Sequence, residues 1–278
     1  MRFSLILATI GRTEEVKNFL SSLVSQSYQS YELIVVDQNY DDRLVSIINY
    51  FKDKFPILHL RSTPGLSRAR NVALKYISGD IVAFPDDDCL YPPETLERVA
   101  NFFINHSAVD GLTGRPLDNS TQWHHQAGSV NRFNVWRRAI SYTIFIRQPV
   151  VEQVGYFDES LGVGAGTPWG AGEEADYMLR ILEAGFKVHY DPTLTVSHPG
   201  PIQVQKEDFT ISLDKTYRYA MGYGRVLALR NFPWWFFTYQ SVRPVVGAML
   251  AIFQGRREKA IVHWKVFQGR VKGWRGVI

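Results

Sequence analysis

The first 105 residues alternate between short apolar runs and longer segments of helical periodicity, and this alternation limits the possible fold more than any other feature. The apolar runs lie at residues 4–10, 32–36, 57–60 and 81–84. The helical segments lie at residues 14–25, 44–55, 67–78 and 94–105. Apolar strands that alternate with helices are typical of a parallel sheet covered by helices on both faces. The sequence therefore predicts an α/β fold built on a mostly parallel, twisted sheet.

Three adjacent carboxylates, Asp86, Asp87 and Asp88, follow the fourth apolar run. Carboxylates this close repel one another unless a positive charge lies between them. A hard divalent cation, Mn²⁺ or Mg²⁺, would supply that charge and would bring diphosphate oxygens as further ligands. The alternative is a solvated turn that caps the next helix.

Two other polar residues end predicted strands. Thr9 lies at the end of the first strand, and Asp37 lies at the end of the second. In open α/β sheets, ligands bind beyond the carboxyl ends of the strands. We therefore expect Thr9, Asp37 and the acidic triplet to share one crevice.

The middle of the chain is less regular. Residues 111–115 and 141–147 are strand-like, and residues 186–190 and 194–198 predict two late strands that Asp191-Pro192 separates. Between these regions, residues 162–172 contain five glycines, a composition typical of a mobile loop rather than a packed element. We expect this loop to act as a lid, with Trp169 near the bound ligand.

Glu173, Glu174 and Asp176 follow this loop directly and open a helix that extends to about Ala184. The helix macrodipole favours carboxylates in a first turn, and helix capping is one explanation of these residues. Three carboxylates in four residues are more than capping requires.

Five segments, in order, resemble the family 2 glycosyltransferases, whose catalytic domain has the GT-A fold. The resemblance covers roughly residues 3–200. Its motifs are Ser4–Arg12, Glu32–Asp37, Gly65-Leu66-Ser67-Arg68-Ala69-Arg70-Asn71, Gly79–Asp88, and Gly172-Glu173-Glu174-Ala175-Asp176 with Arg180 and Gly185.

The resemblance implies transfer of a hexose-type sugar from a nucleotide donor, with inversion at the anomeric carbon. It implies that Asp88, Asp86 and His198 hold the metal; for His198 the alternative is an ordinary turn histidine. It implies donor contacts from the following residues: Thr9, Asp37, Arg70, Asp86 and Asp87. UDP-sugars are favoured, although Gln38 and Asn39 replace the residues that often follow the strand-ending Asp in the family.

The resemblance also implies a general base that accepts the acceptor's proton. The family usually has Asp at the position of Glu174, and Glu173 is the alternative base in this chain. Asp176 joins Trp169 as a predicted acceptor or lid residue.

The C-terminal segment is strongly basic and aromatic. Of the chain's 31 Lys and Arg residues, 12 lie after residue 214, together with one of the 27 Asp and Glu residues. Residues 215–278 therefore carry +11, and residues 1–214 carry −7. This asymmetry predicts a catalytic domain over residues 1–214 and a helical tail over residues 215–278 that meets an anionic membrane surface.

The tail allows three arrangements. Residues 234–253 have about the length and apolarity of a membrane span. The central Arg243-Pro244 pair makes spanning costly and predicts a broken helix. Helices that lie in the membrane interface are therefore favoured over a spanning or re-entrant segment and over helices packed on the catalytic domain. The tail lacks a nucleic-acid recognition motif, so we expect no nucleic-acid partner.

Together these features predict an enzyme of polysaccharide or glycolipid synthesis that acts on a glycan or lipid-linked acceptor. The single cysteine, Cys89, excludes an internal disulfide, and the amino-terminal residues lack the pattern of a signal peptide. We therefore expect a cytoplasmic protein, peripheral on the inner face of the membrane. The alternatives are a nucleotidyltransferase, which would have a glycine-rich basic loop after the first strand, and a non-catalytic nucleotide-sugar-binding protein.

Overall fold

The computed structural model describes residues 1–117, 122–198 and 209–276, which form two compact units. The first unit comprises Met1–Pro64, Arg68–Phe157 and the described part of Tyr177–Gln203. The second comprises Gly65–Ser67, Asp158–Asp176 and the described part of Val204–Ile278. Composition predicted one boundary after residue 214, whereas the contacts group the glycine-rich segment with the C-terminal helices.

All the strands of the described residues belong to one sheet in the first unit. They are β1 (Phe3–Thr9), β2 (Tyr31–Asp37), β3 (Ile57–Arg61), β4 (Ile81–Ala83), β5 (Gly111–Pro116), β6 (Gly128–Ser129), β7 (Ile144–Arg147) and β8 (Val188–Val196). Their order is β3-β2-β1-β4-β7-β5-β8-β6. The first four strands pair in parallel, β7 runs antiparallel to β4 and β5, and β8 returns parallel to β5. The predicted α/β fold is confirmed, with a parallel half followed by a mixed half.

The helices follow the same chain order. They are α1 (Glu14–Val24), α2 (Val45–Lys52), α3 (Leu66–Leu74), α4 (Thr95–Asn105), α5 (Gln148–Val154), α6 (Glu173–Glu183), α7 (Phe209–Leu229), α8 (Trp234–Phe253) and α9 (Arg257–Arg275). The core of the first unit joins β1, β2 and β4 to the apolar faces of α1, α2 and α4. Every residue of β1 except Ala8 is buried, as expected of a central parallel strand.

The prediction of two late strands separated by Asp191-Pro192 is wrong, because β8 runs through both residues as one strand. Thr113 pairs with Tyr190 and Arg115 pairs with Thr195, so the extra residues lie on β8 and the Asp-Pro pair falls within this bulge. A bulge tolerates a residue that lacks an N–H donor. Residues 141–143, expected to be strand-like, form a 3₁₀ turn instead, and β7 begins at Ile144.

The three C-terminal helices of the second unit pack through glycines. A Cβ atom at Gly273 of α9 would lie 2.0 Å from the carbonyl oxygen of Met221 on α7. A Cβ atom at Gly224 of α7 would lie 2.1 Å from the carbonyl oxygen of Arg270. Only glycine permits backbones to approach this closely, and such contacts are common where helices pack inside membranes.

Helix α8 continues through Pro244, so the predicted break is wrong. Proline has no N–H to donate to the carbonyl of Gln240, one turn earlier. The guanidinium of Arg270 on α9 donates a hydrogen bond to that carbonyl instead. The freed acceptor is therefore satisfied, and the helix continues past the proline.

The two faces of α8 are inverted relative to a helix of a water-soluble protein. Its buried residues are mostly small or polar: Phe236, Gln240, Ser241, Pro244, Ala248 and Ala251. Its exposed face carries large apolar side chains: Trp234, Trp235, Tyr239, Val242, Val246, Met249, Leu250, Ile252 and Phe253. Within the described part of the chain, α8 is also the one helix long and apolar enough to cross a membrane, judged by length and composition.

Candidate active site

The acidic triplet lies at the carboxyl end of the parallel half of the sheet. Asp86 forms a parallel bridge to Ala8, next to the end of β1. Leu90 forms an antiparallel bridge to Ser197, with N–O distances of 2.8 and 3.1 Å. These two bridges hold the triplet between the end of β1 and the segment that carries His198.

Asp87 and Asp88 share one arginine. The Thr9 hydroxyl donates a hydrogen bond to Asp87 (Oγ1–Oδ2 2.6 Å), and Nη1 of Arg12 lies 2.5 Å from Asp87 Oδ1. The same Nη1 lies 2.5 Å from Asp88 Oδ2, and Nε2 of His198 lies 3.0 Å from Asp88 Oδ1. The positive charge that the triplet requires is therefore provided in part by the protein itself.

Asp86 is held from the other side. The Ser141 hydroxyl lies 3.1 and 3.2 Å from its two carboxylate oxygens, and Nη2 of Arg70 lies 3.4 Å from Oδ1. Arg70 is buried and its guanidinium lies over the rings of Phe84 and Phe157, at 5.8 and 5.4 Å. The predicted donor-binding residue Arg70 is thus oriented towards the carboxylate of Asp86.

The three carboxyl groups differ in how readily they ionise. Desolvation raises the pKa of Asp86 to about 6 against the opposing charges of Arg70 and His198, although 28% of its side chain is exposed. Burial likewise raises the pKa of Asp87, against the Thr9 hydrogen bond and the charge of Arg12. For Asp88, burial opposes ionisation, but the hydrogen bond and charge of His198 and the charge of Arg12 lower its pKa overall. Asp88 is therefore the carboxylate best prepared to bind a cation.

Asp86, Asp88 and His198 form a donor set suited to a divalent metal. One ligand atom from each lies within 4.8 Å of the others. The ring of His198 stacks on Tyr142, with centroids 4.7 Å apart and planes at 10°, which orients the imidazole. Two carboxylate oxygens and an imidazole nitrogen fit Mn²⁺ or Mg²⁺, the nitrogen favouring Mn²⁺. These are the three residues that the sequence predicted as metal ligands.

Asp37 ends β2 beside Thr9, its register partner on β1, and has polar partners of its own. Its Oδ2 lies 3.1 Å from Nε2 of His59 and 3.2 Å from Nη1 of Arg61. Its Oδ1 accepts hydrogen bonds from the backbone and side-chain nitrogens of Asn39, at 2.9 and 2.8 Å. The side chain of Asp37 is fully buried, so its carboxylate is fixed in place before any ligand arrives.

The second unit contains the acidic first turn of α6. Glu173 and Asp176 are buried there, whereas Glu174 is partly exposed. Nε of Arg230 lies 2.7 Å from Oδ1 of Asp176. The ion pair occupies Asp176 and anchors the turn, and Glu174 is the more accessible of the two predicted bases.

The glycine-rich segment packs on α7, which differs from the loose loop that its composition suggests. A Cβ atom at Gly222 of α7 would lie 2.0 Å from the carbonyl oxygen of Ala171. Trp169 is buried, and the guanidinium of Arg225 lies 4.6 Å from the centre of its ring. Because glycine has no side chain, the segment lies directly on the helix backbone.

Comparison with known proteins decides the family. The model of the family "Glycosyl transferase family 2" matches residues 4–157, more than half of the chain. The chain belongs to glycosyl transferase family 2. It is therefore a transferase that acts on glycosyl groups.

Three other glycosyltransferases are similar to this chain over most of its length. Glycosyltransferase AglE of Haloferax volcanii is 27% identical over 270 residues, which cover 91% of this chain and 80% of AglE. Mannosyltransferase PcManGT of Pyrobaculum calidifontis, solved with GDP-Man and Mn²⁺, has a TM-score of 0.67 at 15% identity, with 100% of this chain and 88% of that chain covered. Residues 1–349 of TarS of Staphylococcus aureus, solved with UDP-GlcNAc, have a TM-score of 0.57 at 19% identity, with 98% and 92% covered. Both structural comparisons show the same GT-A-like fold.

Sequence reasoning missed several residues of the candidate site. Arg12 bridges Asp87 and Asp88, Ser141 contacts Asp86, and His59 and Arg61 contact Asp37. Of these, Arg12 had a usable signal, because it follows the first strand in the turn that faces the triplet. The others meet their partners only through the pairing of distant strands.

Proposed function

We propose that this glycosyltransferase transfers a sugar, with inversion, from a nucleoside diphosphate sugar to a glycan or lipid-linked acceptor. The observation that carries the proposal is the convergence of Asp86, Asp88 and His198 within 4.8 Å at the carboxyl ends of parallel strands. The fold-level neighbours solved with GDP-Man and Mn²⁺ and with UDP-GlcNAc support the same donor class. UDP-sugars remain the favoured donors.

Asp88, Asp86 and His198 would hold a divalent cation, Mn²⁺ or Mg²⁺. Such a cation would supply Lewis-acid stabilisation of the diphosphate leaving group. Thr9 and Arg12 fix the orientation of the Asp87 and Asp88 carboxylates, and Ser141 and Arg70 fix that of Asp86. These contacts prepare the carboxylates, so little reorganisation is required when the donor binds.

The chemical step is a displacement at the anomeric carbon. The acceptor oxygen forms the new glycosidic bond, the bond to the diphosphate oxygen breaks, and the diphosphate leaves with the electron pair. The acceptor's proton passes to a carboxylate, and we assign this role to Glu174. The exposure of Glu174 beside the buried Glu173 and the ion-paired Asp176 supports this choice. Trp169 and Asp176 stay predicted acceptor or lid residues, and both would have to be uncovered to meet a sugar.

We also propose that the C-terminal helices bring the enzyme to an anionic membrane as a peripheral protein on the cytoplasmic face. The charge of +11 over residues 215–278 and the inverted faces of α8 support this. A helix that exposes large apolar side chains and buries small and polar ones suits an apolar surrounding on its outer side. This location places the enzyme where lipid-linked acceptors of glycan synthesis are found.

Donor hydrolysis is the simplest test of the enzymatic proposal. UDP-sugars and GDP-mannose are incubated with the protein and Mn²⁺, and nucleotide release is measured with and without EDTA. We expect release that depends on the metal and is lost in Asp88→Asn. A protein that binds nucleotide sugars without hydrolysing or transferring them would instead be a binding protein.

A further inference from the structure

A groove between α7 and α9 combines aromatic rings with unpaired cations. It encloses about 570 Å³. Its aromatic side chains are Tyr217, Trp264 and Phe267, and its basic side chains are Lys265, Lys272 and Arg275. No carboxylate lines it, so the groove has one sign of charge.

The cations of the groove are not neutralised by the protein. Among the described residues, none of Lys265, Lys272 and Arg275 forms an ion pair with a carboxylate. Nζ of Lys265 lies 5.2 Å from the centre of the Tyr217 ring, so the ammonium group packs on an aromatic face inside the groove. An anion that entered the groove would therefore meet three cations without displacing an acidic partner.

The aromatic residues give the groove a second, apolar character. Trp264 is 47% exposed, and its ring lies 5.2 Å from that of Phe267. A free inorganic anion would gain little from these rings. A ligand with a phosphate at one end and apolar chains at the other would use both the cations and the aromatic surface.

We propose that this groove binds the headgroup of an anionic phospholipid, with the phosphodiester at Lys265, Lys272 and Arg275 and the adjoining chains against Trp264 and Phe267. The inference rests on the membrane association proposed above. It adds a defined binding site for one lipid headgroup to the general attraction between the basic helices and an anionic membrane. The exposed apolar face of α8, in the same unit, supports a lipid as the occupant. Basic pockets between helices are a recurrent form of lipid headgroup site.

A soluble short-chain phosphatidylglycerol, used below its micelle concentration, tests the site because it offers no membrane surface. Isothermal titration calorimetry of the full chain should show saturable binding of one lipid per protein. Lys265→Gln with Lys272→Gln should weaken binding by at least about tenfold, since charge-assisted hydrogen bonds to phosphate are lost. The matched control, Arg256→Gln with Arg257→Gln, removes two exposed cations outside the groove and should bind as the wild type does.

Vesicles of phosphatidylcholine with and without phosphatidylglycerol separate this site from general membrane association. Three results would overturn the groove site. They are an equal loss of soluble-lipid binding in the two double variants, displacement of the lipid by inorganic phosphate at the same concentration, and the absence of saturable binding. Vesicle binding that persists in those cases would leave the membrane proposal standing. If the lysine variants melt below the wild-type temperature, Arg275→Gln serves as a second groove variant, and it should also weaken binding of the soluble lipid.

Discussion

Two helices of this glycosyltransferase, α4 and α8, bury opposite kinds of side chains. Helix α4 buries most of its apolar residues against the sheet: Leu96, Val99, Ala100 and Phe103. Helix α8 buries Phe236, Gln240, Ser241, Pro244 and two alanines, and it exposes a row of aromatic and aliphatic side chains. The first pattern is that of a helix in water, and the second is that of a helix with an apolar surrounding outside the protein.

This contrast separates two tasks. The sheet unit carries the acidic triplet, whose Asp87 and Asp88 carboxylates are contacted by Arg12 and His198. The helical unit carries the basic, outward-apolar surface. Changes to the first should alter chemistry whether or not lipid is present, and changes to α8 should alter lipid binding.

The largest effect is expected from Asp88→Asn. It removes the carboxylate of lowest pKa in the triplet, and with it a charged metal ligand. We expect transfer to fall at least about a thousandfold, with and without vesicles, because metal stabilisation of the leaving group is worth several kcal/mol. Asp53→Asn, at an exposed carboxylate after α2, is the control and should be fully active. If Asp88→Asn were about as active as the control, the proposed metal site would be wrong.

A smaller loss is expected from Glu174→Gln, which keeps the size of the side chain and loses the proton acceptor. General-base catalysis contributes about 10²–10⁴-fold, so kcat should fall in that range while donor binding is retained. Glu173→Gln is the matched variant one residue earlier. A loss below about threefold in Glu174→Gln would transfer the role of base to Glu173 or Asp176.

Replacement of Met249 and Phe253 by serine tests the inverted face of α8. These side chains are 65% and 92% exposed, so the melting temperature should not fall. Vesicle binding should weaken by at least about tenfold, since each large apolar side chain contributes more than about 1.5 kcal/mol when fully buried. The control is Ile104→Ser with Tyr50→Ser, at side chains 64% and 63% exposed in the sheet unit. An equal loss of vesicle binding in both pairs would show that any exposed apolar residue contributes to binding. The proposed difference between the two units would then be wrong.

The smallest effect concerns pH. Burial raises the pKa of Asp86 to about 6 in the metal-free protein, so a proton competes with the cation below that pH. Mn²⁺ affinity should rise as the pH increases from 5 to 7. Titration of Mn²⁺ by calorimetry at several pH values measures this, and an affinity that is flat between pH 5 and 7 would argue against Asp86 as a ligand.

The parallel half of the fold and much of the site follow from local sequence. Continuous apolar runs predicted β1, β2 and β4, and parallel strands that begin at one edge must end at the other. The approach of Thr9 to the acidic triplet was therefore predictable, whereas the position of His198 beside Asp88 was expected only from the family resemblance.

Other features depend on contacts between distant segments. His59 and Arg61 reach Asp37 only because β3 pairs beside β2. The continuity of α8 through Pro244 depends on a hydrogen bond from Arg270, 30 residues away. Composition also suggested a loose glycine-rich loop, whereas its glycines permit close packing on α7. Local patterns do not encode these partners.

The most direct test of the central claim is a thermal-shift measurement with nucleotide sugars and Mn²⁺. A ligand at about 100 times its Kd stabilises the folded state by about 2.7 kcal/mol, which for a chain of this size corresponds to roughly 5–10 °C in Tm. We expect a rise of that order when a nucleotide sugar and Mn²⁺ are added together. We also expect no rise with EDTA and no rise in Asp88→Asn. No shift with any nucleotide sugar in the presence of Mn²⁺, or an equal shift in Asp88→Asn, would contradict this claim.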